Sequence, residues 1–395
     1  MVLSPRSESG RLDDDHSYGP LTGVKIVELA GVGPGPLAAM ILADLGAEVV
    51  RVDRLGATPV IRREFEVHGR SRRSISVDLK KEAGRALLFK LVERSDALIE
   101  GMRPGAVERL GVGPDECLSV NPKLVYARMT GWGQDGPYSG MAGHDINYLA
   151  VTGGLHAIGR RGEPPVPPLN LVADFGGGGM FLAVGVVSGI LRSRLTGVGD
   201  VVDAAMVDGV NSLLSMFRGF LADGMWEDRR ESNLLDGGAP FYRCYECADG
   251  KYVAIGANEE KFWRQLLDAI GLADDPLMGE REDKSAWAAI ADRLAVQFRT
   301  RPRDEWVAMT EGTDSCLSPV LSFVEARDDA HLKARDSFVD VDGVTHAAPA
   351  PRFQRAGCRP PLAPAAIGAD TSAILEELGF DPGSAQRLRR DGVVG

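Results

Sequence analysis

Val24-Lys25-Ile26-Val27-Glu28-Leu29, then Gly31-Val32-Gly33-Pro34-Gly35-Pro36, then residues 37–45 and 48–52, form the stretch that decides the fold. The first six residues are short, aliphatic and β-rich and end close to glycine, which reads as a buried strand. The glycine–proline segment is a turn. Apolar spacing over 37–45 predicts a helix that Gly46 stops. Residues 48–52 give a second strand. Strand, turn, helix and strand make a βαβ unit, and that unit implies a parallel sheet. The turn is a poor dinucleotide fingerprint, because two prolines interrupt it and its third glycine is misplaced. No nicotinamide cofactor is inferred from it.

The alternation continues outward. Ser76-Val77-Asp78-Leu79 reads as a short strand, 81–94 as an amphipathic helix and Ala97-Leu98-Ile99-Glu100 as another strand. A helix opens over 104–110, and a strand follows over 124–130. A long apolar helix over 180–195 stops near Gly197, and 201–205 and 208–225 add a strand and a helix. This is the pattern of a doubly wound parallel α/β sheet. After Leu234 the character changes. Two β-rich runs, 242–247 and 251–256, flank Ala248-Asp249-Gly250, which is a hairpin signal, and three amphipathic helices follow over 262–270, 286–298 and 303–312. The expected organisation is a disordered leader over 1–19 and a large α/β domain over 20–233. A small α+β domain over 234–318 follows, and 319–395 returns to the large domain and ends in a tail.

The 395 residues are 44% hydrophobic and 26% charged, with a net charge of -11. That is a globular composition with ample core. The acidic balance argues against nucleic acid or an anionic membrane as partner, yet allows an anionic small ligand on a local basic patch. No run approaches the roughly 18 apolar residues of a membrane span. Residues 1–19 carry Asp13, Asp14 and Asp15 and lack the apolar stretch of a signal peptide. The five scattered cysteines suit a reducing cytoplasm. Cys244 and Cys247 have the spacing of half a zinc site, but no second pair or nearby histidine completes it, so no metal is expected.

Two further segments carry chemistry. His144 stands in Gly143-His144-Asp145-Ile146-Asn147-Tyr148, and Asp174 stands just before four glycines, 176–179. A glycine cluster lets backbone approach a ligand and can open a helix whose N–H groups face an anion. An imidazole and a carboxylate brought together there handle a carbon-bound proton from two sides. On the residues alone, a surface histidine and a helix-capping aspartate is the more ordinary reading.

A wider set of motifs reverses that reading. They are 20–29 (Pro-Leu-Thr-Gly-Val-Lys-Ile-Val-Glu-Leu), 44–50, Arg103-Pro104-Gly105, Thr130-Gly131-Trp132-Gly133-Gln134, the His144 motif and Asp236-Gly237-Gly238-Ala239-Pro240. In their order and spacing the chain resembles the family III CoA-transferase superfamily (crotonobetainyl-CoA/carnitine CoA-transferase type), and within it the α-methylacyl-CoA racemase branch. The resemblance runs from Pro20 to about Pro361.

It implies the family III CoA-transferase fold and an interlocked homodimer. It also implies racemisation of 2-methylacyl-CoA thioesters by 1,1-proton transfer through an enolate. His144, Asp174 and Glu259 match the racemase catalytic positions. The alternative that the superfamily offers is CoA transfer, with Asp174 as a nucleophile passing through an acyl-aspartyl anhydride. Racemisation needs Asp174 protonated in part of the cycle, a form that partly apolar surroundings favour. Backbone N–H groups of 176–179 are candidates to hold the enolate oxygen.

For CoA, the resemblance implies Arg54, Val77, Lys80, Gly101, Met102, Arg103 and Arg109, together with Gly143, Asp145, Ile146, Asn147 and Tyr148. Arg70, Arg72 and Arg73 form a denser basic run that is a further candidate. No cofactor is expected beyond the coenzyme A that the substrate carries.

Overall fold

Buried aliphatic runs become six strands of one sheet in the computed structural model, which describes residues 18–59 and 61–395. These strands are β1 (Lys25–Leu29), β2 (Glu48–Arg54), β3 (Arg73–Val77), β4 (Ala97–Glu100), β5 (Val125–Thr130) and β6 (Asp200–Ala205). All pair in parallel, in the order β3-β2-β1-β4-β5-β6. The order reverses between β1 and β4, and ligands of such sheets bind beyond the carboxyl ends of the strands at that reversal. Helix Pro34–Asp44 begins ahead of the expected residue 37. Its prolines fit a first turn, where a missing N–H costs nothing. The core gathers Leu87, Leu88, Leu98 and Tyr126 with Ile374 and Leu375, all fully buried. Each such aliphatic side chain contributes about 1.5–3 kcal/mol.

The expected leader lies outside the described residues over 1–17. Its last two residues, Tyr18 and Gly19, are described, and Gly19 N–H donates to Ala356 O at 3.0 Å, so the fold begins earlier than residue 20.

The chain divides into two units. The first comprises residues up to 142, 174–209 and 337–395; the second comprises Gly143–Ala173 and Val210–Asp336. The sequence reading drew an unbroken large domain over 20–233 and a small one ending at 318, and the two compact units have other bounds. Periodicity marks an element but not the element it packs on. Leu317–Val320, β9, pairs antiparallel with β8 (Tyr252–Gly256), which pairs with β7 (Tyr242–Glu246) as the hairpin predicts. That pairing holds Leu317–Val320 in the second unit, which runs to Asp336. The second unit's core holds Trp263, Phe298 and Trp306. Both indole N–H groups are satisfied, Trp263 by Met278 O at 3.1 Å and Trp306 by Phe298 O at 2.8 Å.

The helix expected over 180–195 is longer than predicted. The helical run Leu171–Thr196 has 26 residues and holds an 18-residue window of mean hydropathy 1.6, which by length and composition alone is enough to cross a membrane. It is a π-helical coil, Leu171–Met180, continued by the α-helix Phe181–Thr196. The α-helical part packs against β5, β6 and helix Pro34–Asp44. Its outer stripe, Val184, Val187, Leu191 and Leu195, is exposed.

Candidate active site

Asp174 lies in the π-helical coil, a widened turn that is frequent at functional sites. Its carboxylate sits against the Gly31–Pro36 turn at the carboxyl end of β1. A Cβ built on Gly33 would stand 3.5 Å from Asp174 Oδ2. Gly33 also has φ of 73°, a left-handed conformation that side chains disfavour. The turn that fails as a dinucleotide fingerprint is therefore the seat of the acid.

Close packing surrounds two of the glycines after Asp174. A Cβ on Gly179 would fall 2.9 Å from Pro34 O, and one on Gly209 would fall 1.8 Å from Gly177 O. They do not open a helix, because the coil begins before Asp174. In a π-helix each N–H donates to the carbonyl five residues back. The N–H groups of 176–179 are thereby committed to their own coil, which corrects their assignment to the enolate oxygen. The His68 ring meets Phe175 edge-on, with centroids 5.3 Å apart and planes at 78°. Burial first, then Arg72 and Arg70, hold this imidazole below its usual range.

His144 caps helix Asp145–Val151 from an extended backbone, φ -133° and ψ 174°, and is exposed. Its N–H donates to Asn147 Oδ1 at 3.0 Å, one half of a capping box. Asp145 is turned inward, and its Oδ2 accepts from Ala173 N–H at 2.8 Å. That bond ties two segments together at one residue from His144 and one residue from Asp174. Tyr148 Oη donates to Gly143 O at 2.5 Å. Asp145 and Tyr148 thus hold the loop's shape, while Ile146 and Asn147 are exposed. Glu259 caps helix Glu260–Ile270 and is exposed. Its backbone carbonyl accepts from Phe262 and Trp263 N–H, each at 3.0 Å.

The remaining CoA candidates share the carboxyl edge of the sheet. Arg54 and Val77 form the last rung of β2 and β3. Lys80 follows on the loop beyond β3, and Gly101, Met102 and Arg103 follow β4 directly. Arg109 lies in the short helix Ala106–Leu110. Arg54, Lys80, Gly101, Arg103 and Arg109 are exposed, Met102 is half-buried, and Val77 is buried. The basic run at 70–73 does not join them. Arg70 is bidentate on Asp44, with Nε–Oδ1 at 3.1 Å and Nη2–Oδ2 at 2.5 Å. Arg72 pairs with Glu28 and also donates to His68 O. Arg73 grips both oxygens of Glu377 at 2.7 and 2.8 Å.

Among the described residues no group of three or more His, Cys, Asp or Glu stands ready for a metal ion. Cys247 is buried, its thiol pushed up to about 11, and Cys244 is exposed. Sequence reasoning missed the Gly33–Asp174 contact, although the Gly-Pro-Gly-Pro turn was its signal. It also missed the His68–Phe175 pair, for which the sequence carries none.

A family model, CoA-transferase family III, matches residues 21–371. Alpha-methylacyl-CoA racemase of Mus musculus is 42% identical over 379 residues, which is 95% of this chain and 97% of that protein. The racemase of Homo sapiens is also 42% identical, over 376 residues and the same shares. A crystal structure of a CAIB/BAIF family protein from Brucella suis superposes with a TM-score of 0.77 at 26% identity, covering 91% of this chain and 100% of that one. With the family model spanning nearly the whole chain and the six-stranded sheet matching a solved member, the chain belongs to CoA-transferase family III.

Proposed function

We propose that this chain interconverts the (2R) and (2S) forms of 2-methylacyl-CoA thioesters. The observation that carries this reading is the near-full-length 42% identity with two mammalian alpha-methylacyl-CoA racemases. The thioester acidifies the α-hydrogen, yet the carbon acid stays far weaker than imidazolium. A base must therefore stand close to the α-carbon, and the enolate oxygen needs stabilisation.

His144 and Asp174 are the two acid/base groups. One removes the proton as a base while the other, protonated, delivers a proton to the opposite face; the roles exchange in the reverse direction. Glu259 assists His144. Arg54, Lys80, Arg103 and Arg109 hold the CoA phosphates by charge, with Val77, Gly101 and Met102 beside them. Gly143, Ile146 and Asn147 contact the ligand near His144. The acting species is a homodimer, and the exposed apolar stripe of helix Phe181–Thr196 is surface that such an assembly covers.

The test is solvent exchange. In deuterated water, with one 2-methylacyl-CoA and no acceptor acid, the enzyme is expected to wash deuterium into the α-position while the ester racemises. His144→Ala and Asp174→Ala should each slow racemisation by about two orders of magnitude or more, as for a lost acid/base group. No α-exchange, with consumption of the CoA ester that begins only when an acceptor carboxylic acid is added, would establish CoA transfer instead.

A further inference from the structure

Glu100 ends β4 at the reversal of strand order and is 1% exposed. A carboxylate so far from water is costly unless its lone pairs are occupied. Its Oε1 accepts from Arg128 Nε at 3.0 Å, across the rung that pairs β4 with β5. Its Oε2 accepts from Met102 N–H at 2.6 Å. Burial pushes the Glu100 carboxyl up, and the bonds from Met102 and Arg128 draw it back. Arg128 carries the chain of contacts onward, with its Nη2 2.8 Å from Glu108 Oε1.

Glu108 belongs to helix Ala106–Leu110, which also carries Arg109. One guanidinium seated in the sheet thus holds both ends of the 101–105 loop, its entry through Glu100 and its exit through Glu108. Within the loop, Gly105 has φ of 78°, and a Cβ there would meet Arg109 Nη1 at 3.0 Å. The arginine is folded back over the loop.

We propose that Glu100, Arg128 and Glu108 are positioning residues that preset the 101–105 loop to receive the phosphate-bearing end of CoA. The inference rests on the reading that Arg103 and Arg109 bind that end. A short loop presenting arginines to an anion loses affinity if it must first be ordered. The trio removes that cost before the ligand arrives. It touches no reacting atom, so its effect belongs to binding shared by ground and transition states.

The experiment compares Glu100→Gln, Glu100→Ala, Glu108→Gln and Arg103→Ala in the full-length enzyme. It reads the Kd for free CoA by calorimetry together with KM and kcat for the acyl-CoA. Both glutamine variants are expected to raise Kd and KM about three- to tenfold with kcat within about twofold. Glutamine at 100 keeps an acceptor for Met102 N–H, so Glu100→Ala should bind CoA more weakly than Glu100→Gln. Arg103→Ala tests the underlying reading separately. If it weakens CoA while neither glutamine variant does, the positioning role is overturned and the CoA reading stands. If Arg103→Ala leaves Kd unchanged, the loop does not bind CoA and the proposal falls with that reading. A loss of kcat at constant KM also overturns it. Should Glu100→Gln fail to fold, Glu108→Gln decides the matter, since Glu108 is exposed and its substitution leaves no buried gap.

Discussion

Arg70, Arg72 and Arg73 crowd into one short run, whereas Arg54, Arg103 and Arg109 are scattered along the chain. In the sequence, the crowded set has the look of an anion site. In the structure Arg70 and Arg72 are buried against Asp44 and Glu28, and Arg73 is locked on Glu377. In the scattered set Arg54 ends β2, Arg103 follows β4 and Arg109 lies in the next helix, and all three are exposed. Charge density along a chain thus says little about charge available to a ligand. Strand ends separated in sequence converge in a parallel sheet, while neighbours on a strand point to opposite faces.

The sharpest way to break this contrast is to remove one guanidinium from the buried set. Arg70→Ala leaves the Asp44 carboxylate buried without its cation, and burial already pushes that carboxyl up. The expected cost is about 3–5 kcal/mol of stability, because an uncompensated buried charge remains. Urea unfolding of the variant reads it. The double change Arg70→Met with Asp44→Leu should recover most of the loss, since removing both charges removes the penalty. An unchanged midpoint in Arg70→Ala would mean that water reaches the pair.

The exposed set should answer in the opposite way. Arg54→Ala is expected to leave stability within about 0.5 kcal/mol of the parent, as surface substitutions do. The same change should raise KM for acyl-CoA about tenfold at nearly constant kcat, because a phosphate contact is made equally in ground and transition states. The KM effect should shrink as salt is added. A fall in kcat with KM unchanged would place Arg54 in the chemistry.

The same contrast shows what the sequence makes legible. The six parallel strands, the Asp249-Gly250 hairpin and the three helices read over 262–270, 286–298 and 303–312 follow from local periodicity and turn chemistry, and their positions agree within a few residues. His144 and Asp174 stand out by motif and resemblance. The traffic of the chain between units is not legible. Residues 143–173 leave the first unit and 174–209 return to it at an unbroken helical coil, with no loop signal at the crossing. The packing around Gly177 and Gly179 is also hidden. A glycine that approaches a ligand and one that approaches Pro34 or Gly209 look the same until the packing partner is known.

The smallest expected effect concerns what the buried set does to its neighbours. His346 is 1% exposed, and neither ring nitrogen has a hydrogen-bond partner among the described residues. Arg70 Nη1 donates to the adjacent carbonyl of Ala347 at 2.6 Å. Burial first, and then Arg70, hold the His346 imidazole below its usual range, with Asp340 acting in the other direction. The sign follows from linkage. An unfolded histidine takes up its proton near pH 6.5, and the folded one takes it up only at lower pH. Above about pH 7.5 neither state is protonated and stability is undiminished. As pH falls through about 6.5, the unfolded state binds more protons and stability drops, levelling only below the folded value. His346→Leu should therefore lose less melting temperature than the parent between pH 7.5 and 5.5, the remainder coming from groups such as His68. At pH 7.5 the variant should be no less stable than the parent, since an unpaired buried polar group is replaced by an apolar one of similar size. If the parent and the variant lose the same amount, His346 titrates as in water and its burial is illusory. In the Arg70→Met/Asp44→Leu background the acid-side drop should also shrink, because the cation that opposes a second positive charge on His346 is gone.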